Sequence, residues 1–264
     1  MEILAYLSLL LVGMTLSIIG GGGSILTVPI FVYLFGLAAD VSTSYSLFIV
    51  GLSAAVGAFQ YYKEGLINFR VGATFAAPAF LGVFLVRRFV VPAIPDSVDL
   101  AIIELTKDQL ILSVFAIIML LASVSMLRGR KDPGIQQGDS KPPLNYPLIV
   151  AEGLLVGGVT GFVGAGGGFL IIPALVILAK LPMKEAVATS LMIITIKSLL
   201  GFTGDLGQIP IDWTFLLSSS AISVLGIIVG GRIAKLIPGE KLKKGFGVFV
   251  LIMGTFMILQ QLAS

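Results

Sequence analysis

Apolar residues along this chain come in long, nearly unbroken blocks, at about 3–19, 25–36, 42–60, 70–91, 109–127, 148–164, 169–179, 186–204, 213–231 and 245–262. A helix needs about 20 apolar residues to cross a hydrocarbon core. Eight of the ten blocks are long enough to predict a single crossing each. The other two, 25–36 and 169–179, hold only 12 and 11 residues, which extend about 17 Å as helix. They predict short helical elements unable to span alone.

Both short blocks follow a glycine run, Gly20 to Gly23 in one case and Gly164-Ala165-Gly166-Gly167-Gly168 in the other, and both carry a proline, Pro29 and Pro173. An offset of 144 residues pairs Gly20 with Gly164, Gly23 with Gly167, Pro29 with Pro173, Ser46 with Ser190, Gly57 with Gly201, Gly82 with Gly226 and Arg88 with Arg232, without a gap. The chain therefore reads as an internal duplication. The polar stretch 128–147, rich in Pro, Gly and Gln, separates the copies as a flexible linker.

Charge placement orients the blocks. The linker carries Arg128, Arg130, Lys131 and Lys141, which places it in the cytoplasm by the positive-inside rule. Walking outward from it puts the loops with Lys180, Lys184, Arg232, Lys235, Lys241, Lys243 and Lys244 inside, and the loop from Asp205 to Asp212, which carries only acids, outside. In the first copy Lys63 and Arg70 fall inside and Asp40 outside; the pair Arg87-Arg88 falls outside, a mild mismatch beside Asp96, Asp99, Glu104 and Asp108. Corresponding loops thus face opposite sides, as two inverted copies of five elements each require. The first block, from Ile3 to Ile19, lacks a basic leader and a small-residue cleavage site and reads as a retained membrane helix.

Composition narrows the chemistry. Of 264 residues 57% are hydrophobic and 12% charged, about half the charge of a soluble domain, which excludes a soluble enzyme. Cysteine and histidine are both absent, so thiol nucleophiles, disulfides, lipidated cysteines, haem ligation and the common transition-metal sites are not expected. No cofactor is expected. A net charge of +3 is too small to suggest nucleic acid.

Inverted repeats with broken helices mark secondary transporters, whose sites lie near the midplane. A helix that begins inside the membrane presents unpaired N–H groups and a partial positive charge, a ready receptor for an anion. The candidate lining is Gly21, Gly22, Gly23 and Ser24 at the first elbow and Gly166, Gly167 and Gly168 at the second. Hydroxyls from two repeated constellations, Ser44-Tyr45-Ser46-Leu47 and Ala188-Thr189-Ser190-Leu191, complete it through Ser46, Thr189 and Ser190. The alternative for these residues is helix packing and interhelical bonding. Lys197 lies well inside its apolar block, where a lysine costs a few kcal/mol unless it meets water, an acid or an anion. It is expected to act as an anion partner or gating charge, with snorkelling toward the outer face as the alternative. Asp205, Glu152 or the substrate itself would carry protons if these couple to transport.

The segments Gly20-Gly-Gly-Gly-Ser-Ile-Leu-Thr-Val-Pro29 and Gly164-Ala-Gly-Gly-Gly-Phe-Leu-Ile-Ile-Pro173, each followed about fifteen residues later by a Ser/Thr-Ser-Leu element, resemble the sulfite exporter TauE/SafE family of membrane permeases. The resemblance implies export of sulfite, an organosulfonate or a related small sulfur anion across a prokaryotic cytoplasmic membrane.

The expected architecture is an all-α polytopic membrane protein with a first repeat at 1–127, a cytoplasmic linker at 128–147 and a second repeat at 148–264. The expected function is a permease working by alternating access on a small anion, with the lipid bilayer as its surroundings and room for a homo-oligomer. A passive anion channel of the same architecture is the alternative. An enzyme and a scaffold are disfavoured, the first by the missing His and Cys, the second by the two symmetric glycine runs.

Overall fold

A computed structural model of the chain describes residues 2–19, 22–100, 103–127, 146–177, 179–233 and 239–263. Most of the linker, and Gly20 and Gly21 of the first glycine run, lie outside the described residues.

Helix α1 covers Glu2–Ile19. The first short element is composite: a 3-10 turn at Gly22–Leu26, a single α turn at Thr27–Pro29 (α2) and a π turn at Ile30–Leu34. Then come α3 (Ala39–Lys63), α4 (Phe69–Leu85), a π turn at Val86–Val90 and α5 (Val91–Ala93). Strands β1 (Ser97–Leu100) and β2 (Ile103–Thr106) precede α6 (Lys107–Leu127). The second half holds α7 (Tyr146–Val163), α8 (Gly168–Ile177), α9 (Met183–Phe202), α10 (Trp213–Ile233) and α11 (Gly239–Ala263).

All ten apolar blocks are helical over most of their described length. Among the described residues the departure from an all-α fold is the antiparallel hairpin β1–β2, paired from Ser97↔Thr106 to Leu100↔Ile103. It occupies the segment between two apolar blocks, where the aliphatic residues Val98, Leu100, Ile103 and Leu105 flank the acids Asp99 and Glu104. Hydropathy blocks register only long runs, so a hairpin of this size escapes them.

Among the described residues five helices are long and apolar enough to cross a membrane: Ala39–Lys63, Phe69–Ala93, Lys107–Val124, Met183–Asp205 and Trp213–Arg232. Shorter apolar helices run over Ile3–Ile18, Gly23–Leu34, Pro147–Val163 and Val250–Gln261. Large apolar side chains such as Leu7, Leu11, Leu85, Leu121, Leu155, Leu225 and Phe256 point outward from the bundle, as lipid contact demands. This is a multi-pass membrane protein.

The helices pair across the two halves, α1 with α10, α4 with α7, α3 with α9 and α6 with α11. The central pair is α3 and α9, whose apolar spans are 72% and 67% buried against 39% for α4, α6 and α10. That position explains their composition. Ser42, Thr43, Ser44, Ser46, Ser53, Thr189, Ser190, Lys197 and Ser198 are all fully buried on these two helices, where hydroxyls meet protein rather than lipid. Gly51 packs on Leu199 and Gly57 on Leu191, so α3 and α9 run antiparallel.

Small residues let the other pairs approach backbone to backbone. A Cβ on Gly226 would run into the Leu10 carbonyl, and one on Gly82 would meet the Leu154 carbonyl; likewise Gly13 abuts the Ser223 carbonyl and Gly157 the Ala79 carbonyl. Each contact recurs at an offset of 144 residues with the roles of the halves exchanged.

Candidate functional site

The second elbow is built by backbone that only glycine adopts readily. Where α7 ends, Gly164 and Gly167 take φ of 70° and 73°, the left-handed region in which a Cβ is strained. The Gly167 carbonyl then accepts hydrogen bonds from the N–H groups of Leu170 and Ile171, at 2.9 and 3.0 Å, and starts α8. The first N–H groups of α8, beginning at Gly168, have no acceptor within their own helix.

The first half supplies the wall opposite. Gly164 lies against Thr43 of α3, and Gly166 against Val50 of α3 and Ser24 of the first elbow; a Cβ on Gly166 would stand 2.9 Å from the Ser24 Cβ. The two elbows therefore meet inside the bundle, beside the middle of α3. Gly22 opens the 3-10 turn of the first elbow, and Gly23 packs on Val12, Thr15 and Leu16 of α1. Ser46 shares a face of α3 with Thr43 and Val50, at the i, i+3 and i+7 spacing. Its hydroxyl is fully buried and has no hydrogen-bond partner.

Lys197 reaches the same place from α9. Its side chain is fully buried, so it does not snorkel. The ammonium donates to Thr160 Oγ1 at 2.9 Å and lies 3.5 Å from where a Gly167 Cβ would stand. Among the described residues no carboxylate forms an ion pair with it. One neutral oxygen is a poor match for a charged group with three donors. Ser53, the residue 144 positions earlier, instead donates to Ser223 at 2.9 Å, joining α3 to α10. The cation thus has no charged counterpart at the position 144 residues earlier.

Two further candidates are engaged elsewhere. The Thr189 hydroxyl accepts the Asn68 N–H at 3.0 Å at the start of α4, and Ser190 donates back to the Val187 carbonyl at 2.8 Å. Gly21 lies outside the described residues.

Sequence reasoning overlooked Thr160, for which a lone threonine in an apolar block offers no signal. It also overlooked the burial of Arg87, which is 1% exposed and approaches Asp205 at 3.5 Å. Here a signal existed, since Arg87 is one of the charges that ran against the positive-inside pattern. Above the elbows, toward that end of the bundle, the rings of Phe31, Phe35, Tyr45 and Phe215 pack together. The Tyr45 hydroxyl accepts the Asp212 N–H at 2.7 Å.

Comparison with known families matches residues 5–257 to the model for sulfite exporter TauE/SafE. The chain belongs to the sulfite exporter TauE/SafE family. A "Probable membrane transporter protein" of Xylella fastidiosa (strain 9a5c) is 28% identical over 96% of this chain and 94% of its own length. "Probable membrane transporter protein YunE" of Bacillus subtilis (strain 168) is 28% identical over 95% of this chain and 92% of its own length. No solved structure matches. The elbow motifs that carry the resemblance to this family are the segments that meet around Gly166, and membership makes the chain a membrane transporter.

Proposed function

We propose that this member of the family is a secondary carrier for a small sulfur oxyanion, sulfite or an organosulfonate, exported by alternating access about the junction of the two elbows. The observation that carries the reading is Lys197. A fully buried ammonium with one neutral partner stands beside the glycines that open α8, so the junction offers a net positive charge, helix N–H groups and the free Ser46 hydroxyl to one incoming anion. The lysine is tolerable when the site is empty because it is a single charge with a hydrogen bond. It becomes fully compensated when an oxyanion arrives.

Alternating access further requires two halves able to exchange roles. The antiparallel central pair α3 and α9, and glycine contacts that recur at the 144-residue offset, support two inverted repeats joined by a cytoplasmic linker at 128–147. In that orientation the Asp205 end of the bundle faces outward and the Asn68 end faces the cytoplasm.

Purified protein reconstituted into liposomes tests the proposal by counterflow. Vesicles loaded with unlabelled sulfite, methanesulfonate, thiosulfate, sulfate or acetate are diluted into labelled anion. A carrier of the proposed class gives saturable, transient accumulation with the sulfur oxyanions. Flux that never saturates and shows no exchange would identify a channel instead, and exchange of acetate alone would remove the substrate class.

A further inference from the structure

Among the described residues the Arg87 side chain is the largest fully buried group, and it is poorly satisfied. It sits in the π turn Val86–Val90 that interrupts the helix after α4, a distortion frequent at functional sites. Its Nε approaches Asp205 Oδ2 at 3.5 Å without hydrogen-bond geometry, and its Nη2 has no partner. A guanidinium held by a carboxylate is frequently gripped through two parallel bonds. Here the fork is left open.

The open fork borders a cavity of about 80 Å³, several times the roughly 10–15 Å³ that one water needs. Asp40 at the start of α3, Lys107 at the start of α6 and Gln208 after α9 line the same space. Two cations and two carboxylates therefore face it, Arg87 and Lys107 with Asp205 and Asp40. Among the described residues the pair has no counterpart at the other end of the bundle. The positions related to Arg87 and Asp205 by the 144-residue offset are Gly231 and Tyr61, and Gly231 lies against Gln60 and Ser17.

We propose that this cavity is a second anion site, in which a small sulfonate or sulfite takes the Arg87 fork in place of Asp205 on its passage between the elbow junction and the outer face. The proposal rests on the anion-carrier reading above. A three-oxygen anion matches the planar fork better than a single long contact does, and Lys107, which lines the same space, can compensate the displaced carboxylate. Asp205 acts as a resident competitor that keeps the guanidinium paired when no substrate is present.

The native chain contains no cysteine, so a thiol introduced by Gln208→Cys is the only labelling point. Its reaction with a membrane-impermeant quaternary-ammonium methanethiosulfonate is timed in proteoliposomes with and without external methanesulfonate, gluconate balancing ionic strength. The expected result is at least threefold protection by methanesulfonate. Protection should vanish with Arg87→Gln, and should need at least threefold less anion with Asp205→Asn. Because Arg87→Gln alone leaves a buried carboxylate unpaired, the double variant Arg87→Gln/Asp205→Asn is measured beside it, and monodispersity is checked for each. Equal protection with and without the arginine would overturn the proposal. Absent protection in a protein that still performs counterflow would overturn it too, leaving the carrier reading intact. If counterflow is also absent, the carrier reading falls, and the second site with it. Protection that persists in Lys197→Ala after flux is lost would support a site distinct from the elbow junction.

Discussion

Replacing Lys197 by methionine should separate stability from function. Methionine nearly conserves the side chain's length and volume while removing its charge. A lysine at the centre of a membrane helix costs about 2.5–3.5 kcal/mol, and its bond to Thr160, being charge-assisted, offsets about 1.5–3 kcal/mol. The difference makes Lys197→Met neutral to about 2 kcal/mol more stable than the native chain. Thr160 is not orphaned, since it also donates to the Gly157 carbonyl at 3.3 Å. For the substrate the sign reverses. Two unit charges about 4 Å apart attract by about 4 kcal/mol at an effective dielectric constant of 20, a ceiling of about three orders of magnitude in affinity. Even a fraction of that moves the half-saturating concentration at least tenfold. Unfolding can be followed through the single tryptophan, Trp213, which packs against Phe48 and Phe202, and flux through counterflow in liposomes of matched protein content. The expected outcome is a Tm unchanged or raised by up to about 8 °C, with counterflow lost at concentrations that saturate the native protein. A variant that unfolds earlier and transports normally would show that the ammonium is a structural group and refute the reasoning.

The remaining site residues divide by the same pair of measurements. Gly167→Ala places a Cβ in the left-handed region against Thr160 and Lys197; it should cost about 1–2 kcal/mol of stability and abolish flux, and a silent variant would remove the elbow from the site. Ser46→Ala deletes a buried hydroxyl that has no partner, so Tm should hold or rise while anion affinity falls. Thr189→Val deprives the Asn68 N–H of its acceptor, which should lower stability by about 1 kcal/mol and leave affinity unchanged.

Much of the architecture was legible without coordinates because hydrocarbon imposes a simple rule. Backbone polar groups inside it must be satisfied within the segment, so each apolar block had to be helical, and a block of 11 or 12 residues had to be a broken element. The glycine runs were legible for a related reason. At Gly164 and Gly167 the positive φ disfavours any side chain, and a local constraint of that kind is written in the local residue types. The β1–β2 hairpin was invisible because strands of four residues are far shorter than the apolar blocks that mark a membrane helix.

The helical character of the apolar blocks and the pair of glycine elbows could thus be read from residue order, since each follows from local chemistry. Which groups meet is a different matter. That Ser24 touches Gly166, that Thr160 is the partner of Lys197, that Thr189 holds the start of α4 while Ser46 is left free, and that Arg87 and Asp205 are buried together are contacts between helices far apart in sequence. Their residue types are ordinary serines, threonines and charges, with no periodicity or spacing to mark them. Only the packing of α3 against α9, and of each elbow against the opposite half, decides whether a buried hydroxyl or cation is already satisfied or still open to a ligand.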